Sequence, residues 1–189
     1  MNTHNAMTGK RLLHVDTNLR ALETPRLRLE DFSEKHIAGF DAYLTDSAFD
    51  RYIGLEATSG AVLLEMYAKP WGSTPFRYYW AIVLKETGET IGAVRLDDYA
   101  DEDGINLHLE INPTHWGKGY VTEAAEAVVV WGFRVANAEL LCATADPRNL
   151  ASNKVIQKLG FAFEKVLHAF VKDRDGVMQD RNLYFKKTV

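Results

Sequence analysis

The stretch from residue 105 to residue 145 constrains the fold more than any other part of the chain. INLHLEI alternates cleanly. Ile105, Leu107, Leu109 and Ile111 fall on one face and Asn106, His108 and Glu110 on the other, which predicts a strand. Pro113 ends it, and HWGKGY follows with two glycines around Lys118. From about Tyr120 to Asn137, Val121, Ala124, Ala125, Val128 and Val135 recur at helical spacing. ELLCATA then reads as a buried strand. A chain that alternates strand, helix and strand in this way builds an α/β fold.

The flanking sequence extends the pattern. LRL in TPRLRLEDF predicts an opening strand, and Ser33 stands as N-cap before helical spacing in EKHIAGFDAYL. SGAVLLEMYAK predicts a second helix, ended by Pro70. FRYYWAIVL and TIGAVRL predict a hairpin across KETGET. NLASNKVIQKLG predicts a short helix stopped at Gly160, and two strands joined at DRDG close the chain. The expected architecture is a mixed central sheet of about six to seven strands with about four helices. Residues 1–22 read as a polar extension and 23–189 as a single domain.

Composition excludes several classes. Of 189 residues, 47% are hydrophobic and 25% charged, with a net charge of −4, as in ordinary globular proteins. No basic run marks a nucleic-acid face, and no stretch approaches the roughly 20 apolar residues of a membrane span. The single cysteine, Cys142, permits neither an intrachain disulfide nor a cysteine-based zinc site. The first residues lack the apolar core of a signal peptide, so a cytoplasmic protein is expected. In the acidic run DDYADED, Asp101, Asp103, Gly104 and Glu110 match an EF-hand in part. Tyr99 stands at the first ligand place and the flanks read as strands, so no metal is expected. The run reads as a solvated hairpin end.

The glycine segment admits two readings. Amides at a helix start point outward unpaired, the helix dipole adds positive charge, and glycines let an anion approach, with Lys118 as a further cation. The same glycines serve equally in a turn that needs only their backbone angles. A dinucleotide-binding GxGxxG would require glycine where Thr122 stands, and no P-loop occurs.

A second segment, NLASNKVIQKLGF, places Asn149 and Ser152 one turn apart at a helix start. With TPRLRLEDF and WGKGYVTEA in this order, the chain resembles the GNAT family of acyl-CoA-dependent N-acetyltransferases, in its RimJ/RimL-like branch of ribosomal-protein N-terminal acetyltransferases. The resemblance spans about residues 23 to 187. It implies the GNAT fold, acetyl-CoA (coenzyme A) as donor and an amine acceptor. It also implies that the amides of Gly117, Lys118, Gly119, Tyr120 and Val121 hold the diphosphate beside Trp116. Ile111 would pair with the pantetheine arm, and Asn149 and Ser152 would face it. Val121 stands where the family pattern has a smaller residue.

Acetyl transfer needs a neutral amine, a stabilised thioester oxygen and a proton source for the leaving thiolate. An α-amine of pKa about 8 is roughly a tenth to a fifth neutral near pH 7, whereas an amine of pKa about 10.4 is neutral in about one molecule in a few thousand. An α-amine therefore demands less of a base. Glu110 is the candidate base, directly or through water, with a solvated strand carboxylate as the alternative. His108 shares its face. Many GNAT enzymes place an acidic tyrosine where this chain has Ile156, so Ser152 is the candidate acid. Helix-start hydrogen bonding is the alternative for both Ser152 and Asn149. The expected acceptor is a protein or peptide N-terminus. Polyamine or aminoglycoside acetylation and a catalytically silent acyl-CoA-binding module are the alternatives. The molecule is expected to be a monomer or homodimer, without nucleic-acid or membrane partners.

Overall fold

The structure is a computed structural model and describes residues 21–50, 52, 59–68, 77–98, 105–173 and 175–188. Residues 1–20 of the polar extension and residues 99–104, which hold the acidic run beyond Asp98, lie outside the described residues. In chain order, the first half holds β1 (Leu22–Glu23), β2 (Leu27–Asp31), α1 (Ile37–Asp41), α2 (Ser47–Asp50), α3 (Gly60–Ala68), β3 (Arg77–Leu84) and β4 (Thr90–Asp98). The second half holds β5 (Ile105–Ile111), α4 (Tyr120–Arg134), β6 (Leu140–Ala145), α5 (Leu150–Lys158), β7 (Ala162–Lys172) and β8 (Met178–Lys187). The eight described strands form one sheet in the order β1-β2-β3-β4-β5-β6-β8-β7. The mixed α/β sheet expected from the sequence is present. It exceeds the expected count through β1 and α2, two and four residues long, which are too short to show a period.

The sheet is covered on both faces, which explains why RYYWAIVL carries almost no polar residue. Trp80, Ile82, Val94, Leu96 and Leu107 pack with Ala124, Ala125, Val128 and Trp131 of α4 in the larger core. Trp131 meets Tyr78 and Trp80 edge-on, with ring centroids 4.7 and 4.9 Å apart. Each such pair contributes about 0.5–1.5 kcal/mol beyond burial. On the opposite face, Phe40, Tyr43, Leu44, Phe49 and Leu63 from the α1–α3 layer close over Tyr79, Ala81 and Ala93. Alternation along β3 thus sends Trp80 to one core and Tyr79 to the other.

The first helix is shorter than its sequence pattern predicts. Glu34–His36 is a 3₁₀ turn, and there the Ser33 amide donates to His36 Nδ1 at 3.1 Å. The α4 helix stops at Arg134, before the expected Asn137, which itself adopts a left-handed φ of 56° beyond the helix end.

Strands β5 and β6 are parallel and, among the described residues, share only the pairs Ile105↔Leu141 and Asn106↔Cys142. Beyond them β5 continues to Ile111 and β6 to Ala145, while β6 stays paired with β8 from Leu140↔Lys187 to Ala145↔Asn182. The ladder therefore opens toward the carboxyl ends of two parallel strands, from which α4 and α5 begin. Ligands in α/β sheets bind in crevices of this kind.

Candidate active site

At the end of β5, Asn112 turns the chain by accepting the Thr114 amide on Oδ1 at 3.0 Å, and Pro113–His115 forms a 3₁₀ turn. Trp116 folds back, its indole Nε1 donating to the Ile111 carbonyl at 3.0 Å. Gly117 and Gly119 take φ of 73° and 79°, the left-handed region that favours glycine. A side chain at Gly117 would meet nothing within 4 Å, so backbone shape and not crowding demands that glycine. Gly119 is the N-cap of α4 and brings no side-chain acceptor to the helix start. The first amides of α4 thus keep their outward direction and the positive end of the helix dipole. Tyr120 and Val121 pack partly buried against the larger core.

Glu110 lies on the other face of β5, beneath the α1–α3 layer. Its Oε1 accepts from Tyr79 Oη at 2.8 Å and Tyr43 Oη at 3.2 Å. Both bonds fall on one oxygen, so Oε2 takes no part in them. Burial raises the Glu110 carboxyl above its ordinary value, opposed by the hydrogen bond from Tyr79, the charge of Arg95 and the hydrogen bond from Tyr43. This is not a solvated strand carboxylate. Tyr79, Ala93, Arg95, His108 and Glu110 line a small pocket. Cross-strand register brings them together: Tyr79 faces Arg95, Ala93 faces Glu110 and Arg95 faces His108. Arg95 Nε lies 2.8 Å from Asp97 Oδ2, and His108 Nε2 lies 3.0 Å from Asp97 Oδ1. His108 is tied into this charged ladder, with Asn106 Nδ2 at 2.8 Å from the same ring nitrogen.

At the second helix start, Asn149 is the N-cap of α5, its Oδ1 accepting the Ser152 amide at 3.0 Å. The cap alternative thus holds for the Asn149 oxygen. The Ser152 side chain is partly buried in the first turn. The adjacent Asn153 anchors this turn. Its Nδ2 donates to the Asp146 and Asn149 carbonyls at 2.8 and 2.7 Å, and its Oδ1 accepts from Tyr184 Oη at 2.6 Å and Asn182 Nδ2 at 2.8 Å. Cys142 is buried within β6, its Sγ 3.9 Å from Asn106 Oδ1. Among the described residues no group of His, Cys, Asp and Glu could hold a metal ion.

A parallel strand pair that parts beneath two helix starts, one of them entered through left-handed glycines, is matched by a known family model. That model describes an acetyltransferase (GNAT) domain and covers residues 26–162. The chain belongs to the GNAT acetyltransferase family. This GNAT chain is 27% identical over 168 residues to the uncharacterized N-acetyltransferase YoaA of Bacillus subtilis (strain 168), covering 86% of this chain and 94% of that one. Its fold superposes on the ribosomal-protein-S5-alanine acetyltransferase of Vibrio fischeri with a TM-score of 0.72 at 18% identity, covering 88% and 96% of the two chains. RimJ of Mycobacterium smegmatis, in complex with CoA-disulfide, superposes with a TM-score of 0.72 at 16% identity, covering 86% and 82%. The protein is an acyltransferase of a family that uses acetyl-CoA and acts on amines. No described helix is long and apolar enough to cross a membrane.

The structure adds residues to this candidate site that the sequence did not single out. Tyr79 and Arg95 share the strand parity of Glu110, and alternation in β3 and β4 carried that signal once the hairpin register was known. Tyr43 had none, because it reaches Glu110 from the turn after α1, 67 positions away. Asn153 was hidden inside a helix that reads as ordinary, and only the position of β8 gives its amide two further partners.

Proposed function

We propose that this GNAT enzyme transfers the acetyl group of acetyl-CoA to a protein or peptide N-terminal α-amine by direct attack in a ternary complex. The observation that carries the reading is the Glu110 carboxylate, held on one oxygen by Tyr43 and Tyr79 at the rim of a pocket beside the parted strands. The glycine loop fits a diphosphate, because Gly117 and Gly119 hold left-handed turns and carry no side chain of their own to keep an anion from the backbone. The amides of residues 117–121 would hold that group, with Trp116 beside it and Lys118 adding a cation. Ile111 and Asn149 would meet the pantetheine arm.

Acetyl-CoA supplies the thioester carbonyl. Glu110 takes the ammonium proton of the acceptor, directly or through one water, and frees the nitrogen to attack that carbon. As the C–S bond breaks, Ser152 passes its hydroxyl proton to the departing sulfur and takes up the second proton that the attacking nitrogen loses, so the products are the amide and free thiol. A carboxylate pushed up by burial is a stronger base, and an α-amine of pKa about 8 lies closer to its reach than one of about 10.4. The ribosomal-protein-S5-alanine acetyltransferase of Vibrio fischeri, which shares the fold, supports the same acceptor class.

The test is release of free thiol from acetyl-CoA against peptides with free N-termini, polyamines and aminoglycosides. Turnover on peptides and its loss when the same peptides are N-acetylated is the expected result. Turnover confined to polyamines or aminoglycosides would overturn the acceptor. Tight acetyl-CoA binding with no turnover on any class would favour a silent acyl-CoA-binding module.

A further inference from the structure

The opening strand segment does more than begin the sheet. In the turn before β2, Thr24 Oγ1 donates to Glu123 Oε1 at 2.6 Å and the Arg26 amide donates to the same oxygen at 2.9 Å. Arg26 Nε donates to Glu123 Oε2 at 2.6 Å. Its Nη1 continues to the Lys118 carbonyl at 3.0 Å, and its guanidinium carbon lies 4.4 Å from the Tyr120 ring centroid. One side chain therefore joins the first turn of α4, through Glu123, to the loop that precedes it.

Two consequences follow from elementary geometry and charge. In a trans peptide the carbonyl of one residue and the amide of the next point in opposite directions. Holding the Lys118 oxygen on Arg26 therefore fixes the Gly119 amide pointing away from Arg26. Two left-handed glycines would otherwise leave that peptide free to rotate. Glu123 also places a carboxylate one turn from the helix start. Burial works against its charge, and the donors from Thr24 and Arg26 more than compensate, holding its carboxyl below the ordinary value. The anion is thus already neutralised by Arg26 before any second anion arrives.

We propose that Arg26 is a positioning residue for the donor: clamped by Glu123, it sets the Lys118–Gly119 peptide so that the loop receives the coenzyme A diphosphate preorganised. This rests on the donor site given under Proposed function. Arg26 lies on the carbonyl side of the loop and acts through its backbone, without touching the diphosphate. Only ligands that carry the diphosphate should sense it.

Titration calorimetry of wild type, Arg26→Gln and Arg26→Lys with coenzyme A, and displacement titration with pantetheine, test the inference. Arg26→Gln should weaken coenzyme A binding about ten-fold, the scale of one lost charge-assisted contact. Pantetheine, which lacks the diphosphate, should stay within about two-fold. Arg26→Lys should fall between, because an ammonium cannot hold Glu123 and the Lys118 carbonyl in one planar fork. Unchanged coenzyme A affinity in Arg26→Gln would overturn the inference, as would equal losses for both ligands. Full restoration by lysine would leave charge alone as the cause and overturn the positioning role. A wild type that binds no coenzyme A would instead overturn the donor site itself.

Discussion

Glu110 meets two opposed demands. As the proposed base it must be ionised, yet burial beneath Tyr43 and Tyr79 raises its carboxyl above the ordinary value. A carboxyl raised in the folded state binds protons more tightly there than in the unfolded chain. Its stabilising contribution is therefore present below the unfolded pKa and lost as pH rises through the folded one. Glu110→Gln keeps an oxygen for both tyrosines and removes the buried charge. It should raise Tm at pH 8, with the gain shrinking toward pH 4, while kcat on an active acceptor falls about 10²- to 10⁴-fold. A Tm that falls at pH 8 would mean that the charge is satisfied and not strained. Tyr79→Phe removes the shorter of the two bonds that hold the carboxyl down. The acid limb of kcat/KM should then move to higher pH, and a limb that stays in place would detach Glu110 from the rate. Alternation in INLHLEI made the face of Glu110 legible. The hydroxyls that tune it come from another strand and from the turn after α1, and no local pattern announces them.

At the scale of elements, β7 shows what periodicity cannot carry. FAFEKVLHAFVK predicts a regular strand, and the strand is present from Ala162 to Lys172. Its register against β8 nevertheless shifts between Leu167 and Val171. There Ala169 adopts a φ of 49° and its amide donates to Asp180 Oδ1 at 3.0 Å. His168 Nδ1 lies 3.0 Å from the other Asp180 oxygen. The bulge is written in a partner across the hairpin, not in β7 itself. A left-handed alanine costs about 1–2 kcal/mol, and glycine returns about 0.5–1 kcal/mol of that as chain entropy. Ala169→Gly should therefore stabilise the protein by up to about 1 kcal/mol in a urea titration with unchanged m. A destabilised variant would show that the methyl group itself packs usefully. The α4 start is the opposite case. There the glycines sit in the sequence at the positions where the structure needs left-handed turns, and the loop was legible before the fold was known.

Across the whole molecule, element order was legible and sheet order was not. Nothing in the period of β8 states that it inserts between β6 and β7, because that place depends on tertiary burial, here of Leu183 and Tyr184. The second core was equally hidden, since the α1–α3 layer that forms it is built from short elements. That layer is tied to the sheet by a polar cluster around Glu30. Arg28 Nε donates to Glu30 Oε1 at 2.9 Å, Lys35 pairs with Oε2, and buried His36 lies 3.4 Å from Oε2. Lys35 and then Arg28 hold the Glu30 carboxyl down at about 2. Burial also lowers His36, so the fold prefers its neutral ring. The Glu30 carboxyl is depressed on folding, so its contribution is present above the unfolded value of about 4.5 and lost as pH falls toward about 2. His36 acts in the same direction from a higher starting point, because protons bind the unfolded ring first as pH drops below about 6.5. Glu30→Gln should lower Tm at pH 7, and the gap to wild type should stay constant down to about pH 5 and close between there and about pH 2. A gap that persists at pH 2 would assign the loss to packing. The same layer carries Tyr43, which holds the proposed base. Glu30→Gln should therefore also reduce turnover at temperatures just below its transition, by weakening the hold on the layer that positions Tyr43.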